Sequence, residues 1–123
     1  MKLTFAGARS SLHRYVDGEI EEYKGDKSGI GYRRVPMDQA FTNVEIDAGS
    51  DDIFYAWSDG ITDQVGGSNR RSFGKRRVCA CIDDSHLMTM RQQEAQFLRS
   101  FLDHQMQEER RDDITFIGFK LKT

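Results

Sequence analysis

The sequence has no long apolar run, which excludes a membrane-spanning helix in this segment because a span needs about 20 consecutive apolar residues. The first residues also lack the apolar stretch of a signal peptide. Cysteine is scarce, since only Cys79 and Cys81 occur among 123 residues. They are too close for an ordinary structural disulfide, and no second pair completes a zinc site. This usage predicts a soluble protein in a reducing cytoplasm.

The sequence also lacks a large excess of charge of either sign. The 18 basic and 20 acidic residues are interspersed and give a net charge of −2, so no broad basic field favours nucleic acid or an anionic membrane. The length of 123 residues predicts one ordinary domain. An apolar fraction of 37% is low and a charged fraction of 31% is high, so the core is small for its surface. This balance is a first indication of an incomplete folding unit.

Residues 52–58 form an aromatic, strand-like run that leads directly into Asp59 and Gly60. Asp112 and Asp113 immediately precede a second strand-like run. In antiparallel neighbours, the end of one strand and the start of the next share an edge of the sheet. Two carboxylates placed there repel each other unless a cation lies between them, and Mg²⁺ or Mn²⁺ prefers such oxygen ligands.

The remaining pattern predicts an α+β fold with antiparallel sheets and helices on one face. Asp17-Gly18 is a strong hairpin signal between two alternating segments. Ser85 is the predicted N-cap of a helix whose apolar stripe runs from Leu87 to Met106. That stripe is interpreted as core, with a partner-binding face as the alternative. The other predicted elements are strands at 3–8, 41–47 and 114–121, an irregular loop at 24–39, a glycine-rich loop at 61–69 and a helix at 73–81.

Three stretches in this order resemble motifs of metal-dependent serine/threonine protein phosphatases of the type 2C-like class: residues 54–64, 73–77 and 111–115. Residues 3–8 and 24–33 are similar to the branch that contains the bacterial stage II sporulation protein E phosphatase. The resemblance covers the chain from its first residues to its last. It implies two antiparallel sheets packed face to face with helices outside, an α-β-β-α sandwich.

The resemblance also implies an activity. Two Mn²⁺ or Mg²⁺ ions in such a domain activate a water that attacks a phosphoserine or phosphothreonine, without a covalent nucleophile. By position in the motifs, Asp59 and Asp112 are the expected catalytic metal ligands, and Gly60 and Asp113 are supporting residues. The expected substrate is a phosphoprotein, such as a phosphorylated anti-sigma-factor antagonist in bacterial signalling.

The sequence departs from the family in one respect, because the acidic motif of the family's earlier half has no counterpart. The expectation is therefore a C-terminal half-domain that binds metal weakly and has little activity alone. Its expected partners are the missing N-terminal half, an upstream sensor or receiver domain, and a second copy in a homodimer. The alternatives are a catalytically inactive phosphatase-like binding module and an unrelated α+β protein with coincidental Asp positions.

Several polar residues have both a functional and an ordinary interpretation. The basic cluster from Arg70 to Arg77 could contact a phosphoprotein, but a solvated charged face is favoured. Arg33 and Arg34 could bind phosphate, and a merely connecting loop is equally supported. The two cysteines are expected to pack as small residues. Three histidines without ligand spacing are interpreted as ordinary surface or helix residues: His13, His86 and His104.

Overall fold

The structure is a computed structural model that describes residues 1–30, Asp38 and residues 40–122. It divides into two compact units, the first formed by Met1–Ala56 with Lys120–Thr123 and the second by Trp57–Phe119. The predicted α+β class with antiparallel sheets is confirmed. The elements in chain order are β1 Lys2–Phe5, β2 Leu12–Val16, β3 Glu19–Tyr23, β4 Val44–Asp47, β5 Ile53–Trp57, α1 Asp59–Thr62, β6 Val65–Gly66, β7 Arg71–Ser72, α2 Gly74–Ser85, α3 Met90–Gln105 and β8 Phe116–Phe119.

The predicted hairpin is present in the first unit. β2 and β3 pair antiparallel around Asp17 and Gly18, whose φ angles are 50° and 83°. Positive φ at both positions is what a type I′ turn requires, and it matches the right-handed twist of the strands. On its other side β2 pairs antiparallel with β5, with His13 opposite Tyr55. The hairpin therefore supports the strand that leads to the Asp59 motif.

A second antiparallel pair in the first unit joins β1 to β4, in a register that places Leu3 opposite Ile46. The Ala48 N–H donates to the Met1 carbonyl over 2.7 Å and continues this pairing by one bond. The buried apolar residues of the unit lie on β2, β4 and β5, with Ala48 directly after β4: Leu12, Tyr15, Ile46, Ala48, Ile53, Phe54 and Tyr55.

A buried ion pair ties the hairpin to the turn before β5. The Arg14 guanidinium donates to Asp52 Oδ2 from Nε over 2.9 Å and from Nη2 over 2.6 Å. The same oxygen accepts the Gly49 N–H over 2.8 Å, and Arg14 Nη2 also donates to the Asp47 carbonyl. Hydrogen bonds to Tyr23 and Asp52 raise the pKa of Arg14 further. Since both side chains are largely shielded from water, the loss of either leaves an uncompensated partner.

The helical segment of the second unit differs from the prediction at one boundary. Ser85 is the last residue of α2, and its hydroxyl donates to the Cys81 carbonyl over 2.7 Å. α3 begins instead at Met90 with Thr89 as its N-cap. The Thr89 hydroxyl accepts the Gln92 N–H while the Gln92 side chain accepts the Thr89 N–H, a reciprocal capping box. The prediction of Ser85 as N-cap was therefore wrong, because α2 continues through that residue.

The apolar stripe predicted for this helix is only partly core. Phe97 and Phe101 are buried, and Phe73 meets both rings edge to face at 6.0 and 5.5 Å between centroids. Phe97 also stacks on Phe116 of β8 at 3.8 Å, which packs α3 against that strand. Four stripe residues are exposed, contrary to a core role: Leu87, Leu98, Leu102 and Met106. Leu98 and Leu102 each follow a buried phenylalanine by one residue, about 100° around the helix and away from the packed face.

Other sequence expectations have mixed outcomes. His13 is buried in β2, so the prediction of a surface or helix residue was wrong for it. Cys79 and Cys81 are half-buried on α2, and burial raises the pKa of the Cys81 thiol, which fits a packing role. Arg33 and Arg34 lie outside the described residues. Within the described part of the chain, no helix combines the length and the apolar character needed to cross a membrane.

Candidate metal-binding site

Ser58 joins the two acidic motifs of the second unit, which are Asp59-Gly60 and Asp112-Asp113. It follows the last residue of β5, and its N–H donates to the Thr115 carbonyl over 3.0 Å. Its hydroxyl accepts the Thr115 N–H over 3.0 Å and donates to the Asp113 carbonyl over 3.3 Å. Three hydrogen bonds therefore hold the residue before Asp59 against the residues after Asp112. The exit of β5 lies beside the entry of β8, which is the predicted arrangement.

Gly60 allows the two motifs to approach closely. An ideal Cβ built on Gly60 would lie 2.0 Å from the Asp113 carbonyl oxygen and 3.3 Å from Ile114 Cγ2. Real Cβ atoms do not come so close to a backbone oxygen, so only glycine fits without a shift. Gly60 is buried in α1, directly after Asp59. The glycine predicted as a supporting residue thus has a definite steric reason to be glycine.

The carboxylates of the two motifs face solvent. Asp59 is the first residue of α1, where the helix dipole favours a negative side chain, and it is exposed. Asp112 is exposed on the segment before β8, and its Oδ1 accepts the Asp113 N–H over 2.8 Å. Asp113 is also exposed, while its carbonyl oxygen contacts the Ser58 hydroxyl. Exposed carboxylates at a fixed backbone junction remain accessible to a hydrated cation.

A buried glutamine restrains the junction at which Ser58 and Gly60 contact Asp113 and Thr115. Gln64 is 1% exposed and follows α1 after one intervening residue. Its Nε2 donates to the carbonyls of Val65 and Glu109, each over 3.0 Å. The bond to Glu109 ties the segment that leads to Asp112 back to the end of α1. This cross-link, together with the Phe97–Phe116 stack, restrains both sides of the junction.

The donor set suits a hard divalent cation but is small. Asp59 and Asp112 offer carboxylate oxygens, which Mg²⁺ and Mn²⁺ prefer. Among residues 1–30, 38 and 40–122, no group of three or more His, Cys, Asp or Glu side chains could hold a metal ion. The residues therefore fit part of a site for a divalent cation, in which water or other groups would complete the coordination.

The comparisons with known proteins decide the family. The family model described as stage II sporulation protein E (SpoIIE) matches residues 5–122. The chain belongs to the SpoIIE family. Among solved structures, it is similar to the SiaA-PP2C domain of Pseudomonas aeruginosa, with 33% identity and a TM-score of 0.85. That match covers 98% of this chain and 47% of the other, so the chain spans about half of the SiaA domain's length. A search of curated proteins gave no match.

Within this SpoIIE-family chain, sequence reasoning identified the acidic motifs but missed two residues that position them. Ser58 was treated as the end of a strand, although a hydroxyl beside an Asp-Gly turn is well placed to satisfy nearby backbone groups. Gln64 was assigned to a polar loop. Its burial follows from packing between α1 and the segment after α3, which no local pattern indicates. The metal-ligand roles of Asp59 and Asp112 remain predictions.

Proposed function

We propose that this chain contributes part of the metal site of a Mn²⁺- or Mg²⁺-dependent protein serine/threonine phosphatase. The observation that carries the proposal is the junction of Ser58 and Gly60 with Asp113 and Thr115, because it holds two acidic motifs of the phosphatase family side by side. Asp59 and Asp112 are the proposed ligands. Bound ions would supply an activated water and would offset the charge on the phosphoryl oxygens.

Each residue of the junction has a proposed task. Asp59 and Asp112 bind cations through their exposed carboxylates, and Gly60 keeps the two backbone segments close enough for this. Asp113 supports the site through its carbonyl, which accepts the Ser58 hydroxyl. The substrate is proposed to be a phosphoprotein in signalling, as the SpoIIE family membership suggests.

The small donor set requires help from another segment. Two carboxylates leave Mg²⁺ with most of its waters, and a hydrated ion is held weakly. The similarity to only 47% of the SiaA-PP2C chain supports a complementary segment that supplies the remaining ligands. We therefore expect weak binding of Mn²⁺ and little turnover for this chain alone.

The test combines metal binding with turnover. Mn²⁺ titration calorimetry is carried out on the chain and on its Asp59→Asn and Asp112→Asn variants, with Asp84→Asn as a control at an exposed position on α2. Both site variants are expected to lose Mn²⁺ binding, and the control is expected to keep it. Equal binding by all four proteins would refute the assignment of the ligands. Robust Mn²⁺-dependent hydrolysis of a phosphoserine peptide by the chain alone would refute the need for a complementary segment.

A second function is a phosphatase-like binding module that does no chemistry. The observation that favours it is the small donor set among the described residues. The two functions differ in one measurement, since the module binds its partner equally well with Mn²⁺ or with EDTA. A phosphatase site would bind a phosphoprotein more tightly when Mn²⁺ is present.

A further inference from the structure

A cluster of cations lies immediately after the Asp59 motif in the sequence. It occupies the β6–β7 hairpin and the first turn of α2, and from Gln64 to Ile82 the chain has no acidic residue. Two residues separate the end of α1 from the start of the hairpin, and the cluster and the candidate site belong to the same unit of the structure. We call these five exposed residues the basic surface: Arg70, Arg71, Lys75, Arg76 and Arg77.

Arg70 and Arg77 of the basic surface make contacts that hold the segment together. Arg77 Nη1 donates to the carbonyls of Ser72 and Phe73 over 3.1 and 3.0 Å, which joins the hairpin to α2. Arg70 Nε pairs with Glu108 at 2.9 Å. Arg71 and Arg76 are exposed and have no ion-pair partner within residues 1–30, 38 and 40–122. These two arginines remain available to an external anion.

The hairpin that carries Arg71 is fixed in place. The Gly67 N–H donates to the His104 carbonyl over 2.7 Å, and His104 Nε2 lies 2.9 Å from the Arg71 carbonyl oxygen. The Phe73 N–H donates to the Gln64 carbonyl over 2.7 Å. A restrained backbone lowers the entropy cost of binding, because fewer conformations are lost when a partner docks.

The helix dipole does not favour the cations at the start of α2. Lys75, Arg76 and Arg77 occupy the first turn of α2, where the positive end of the helix dipole disfavours cations. Arg76 is exposed and occupies this unfavourable position without a compensating ion pair in the described part of the chain, which favours a role in binding. Arginine suits carboxylate and phosphate groups in particular, because its planar guanidinium can donate two parallel hydrogen bonds.

We propose that the basic surface docks an acidic segment of the phosphoprotein substrate beside the Asp59 motif. This inference rests on the proposed function and adds a determinant of substrate choice. An acidic polypeptide fits better than single-stranded nucleic acid, because nucleic acid binding uses exposed aromatic rings as stacking platforms. Phe73, the aromatic residue within the cluster, is 2% exposed and packs inward against Phe97 and Phe101.

The test uses a fluorescent peptide with one phosphoserine flanked by glutamates, titrated with the chain in EDTA and low salt. The double variant Arg71→Glu with Arg76→Glu is expected to weaken binding about tenfold, and higher salt is expected to weaken it further. The matched control reverses Arg91 and Arg99, two exposed cations of α3, and is expected to change binding by less than about twofold. A double Arg→Gln variant at positions 71 and 76 gives an intermediate value, and urea unfolding verifies that every variant is folded.

The outcomes are distinct. Equal effects of the test and control variants would overturn the proposal, as would tighter binding of a lysine-flanked phosphoserine peptide. A single-stranded DNA of equal charge that displaces the acidic peptide at lower concentration would favour nucleic acid instead. Because the titration contains EDTA, failure of the metal site in the Asp59→Asn variant leaves this binding unchanged, so the two proposals fail separately.

Discussion

Replacing Gly60 with alanine places a methyl group where the Asp113 carbonyl oxygen already lies. The ideal Cβ is 2.0 Å from that oxygen, and real Cβ contacts stay beyond 3.0 Å, so the two segments must separate by at least 1.0 Å. The Ser58 hydroxyl lies 3.3 Å from the same oxygen, and a shift of this size breaks that hydrogen bond. The substitution therefore opens the junction that holds the two acidic motifs together.

The change in the free energy of unfolding is the sum of two destabilising contributions and one stabilising contribution. Overpacking costs about 1–3 kcal/mol, and the lost hydrogen bond costs about 1 kcal/mol. Alanine in place of glycine in a helix recovers up to about 1 kcal/mol. The net loss in the free energy of unfolding is about 1–4 kcal/mol. With a urea m-value of about 1–3 kcal/mol/M, the unfolding midpoint should fall by roughly 1 M.

The assay pairs urea unfolding with Mn²⁺ titration and includes two control variants. Gly66→Ala makes a comparable backbone clash, 1.8 Å from the His104 carbonyl oxygen, and lies in the β6–β7 hairpin instead of the junction. It should lower stability and retain Mn²⁺ binding. Gly49→Ala meets nothing closer than 3.5 Å and should be tolerated. The reasoning is refuted if Gly60→Ala keeps both the stability and the Mn²⁺ affinity of the unmodified chain.

Three further predictions concern named hydrogen bonds. Ser58→Ala leaves the Thr115 N–H without its hydroxyl acceptor, so we expect a loss of about 1 kcal/mol and faster hydrogen exchange at the Thr115 amide, whereas unchanged exchange would contradict the role of Ser58. Arg14→Met leaves Asp52 buried without its cation and should lower the free energy of unfolding in urea by about 3–5 kcal/mol. Adding Asp52→Asn to this variant should restore part of that loss. If the effects of the two substitutions on the free energy of unfolding were additive, the two residues would not be coupled. Thr89→Ala removes the N-cap of α3 and should lower the free energy of unfolding by about 1 kcal/mol, measured by thermal unfolding. Ser85→Ala should lower it less. If Ser85→Ala were the more destabilising of the two, the boundary of α3 would be misplaced.

Local sequence determined the hairpin and the acidic motifs. Asp17-Gly18 specifies its turn because both residues accept positive φ, so the strands on either side follow from adjacent residues alone. The run into Asp59 and the residues after Asp113 were identifiable as strands because aromatic and β-branched residues are concentrated there. The order of these motifs also indicated the phosphatase family, which the SpoIIE match supports.

Tertiary structure decided what packs and what positions the site. The α3 stripe is ambiguous in sequence because Phe97 and Leu98 are equally apolar, and only the location of Phe73 and Phe116 selects the face that is buried. The bonds from Ser58 to Asp113 and Thr115 join residues more than 50 positions apart, so no local pattern encodes them. The motifs therefore come from local chemistry, whereas their close approach depends on the long-range contacts that hold Ser58 and Gly60 against Asp113 and Thr115.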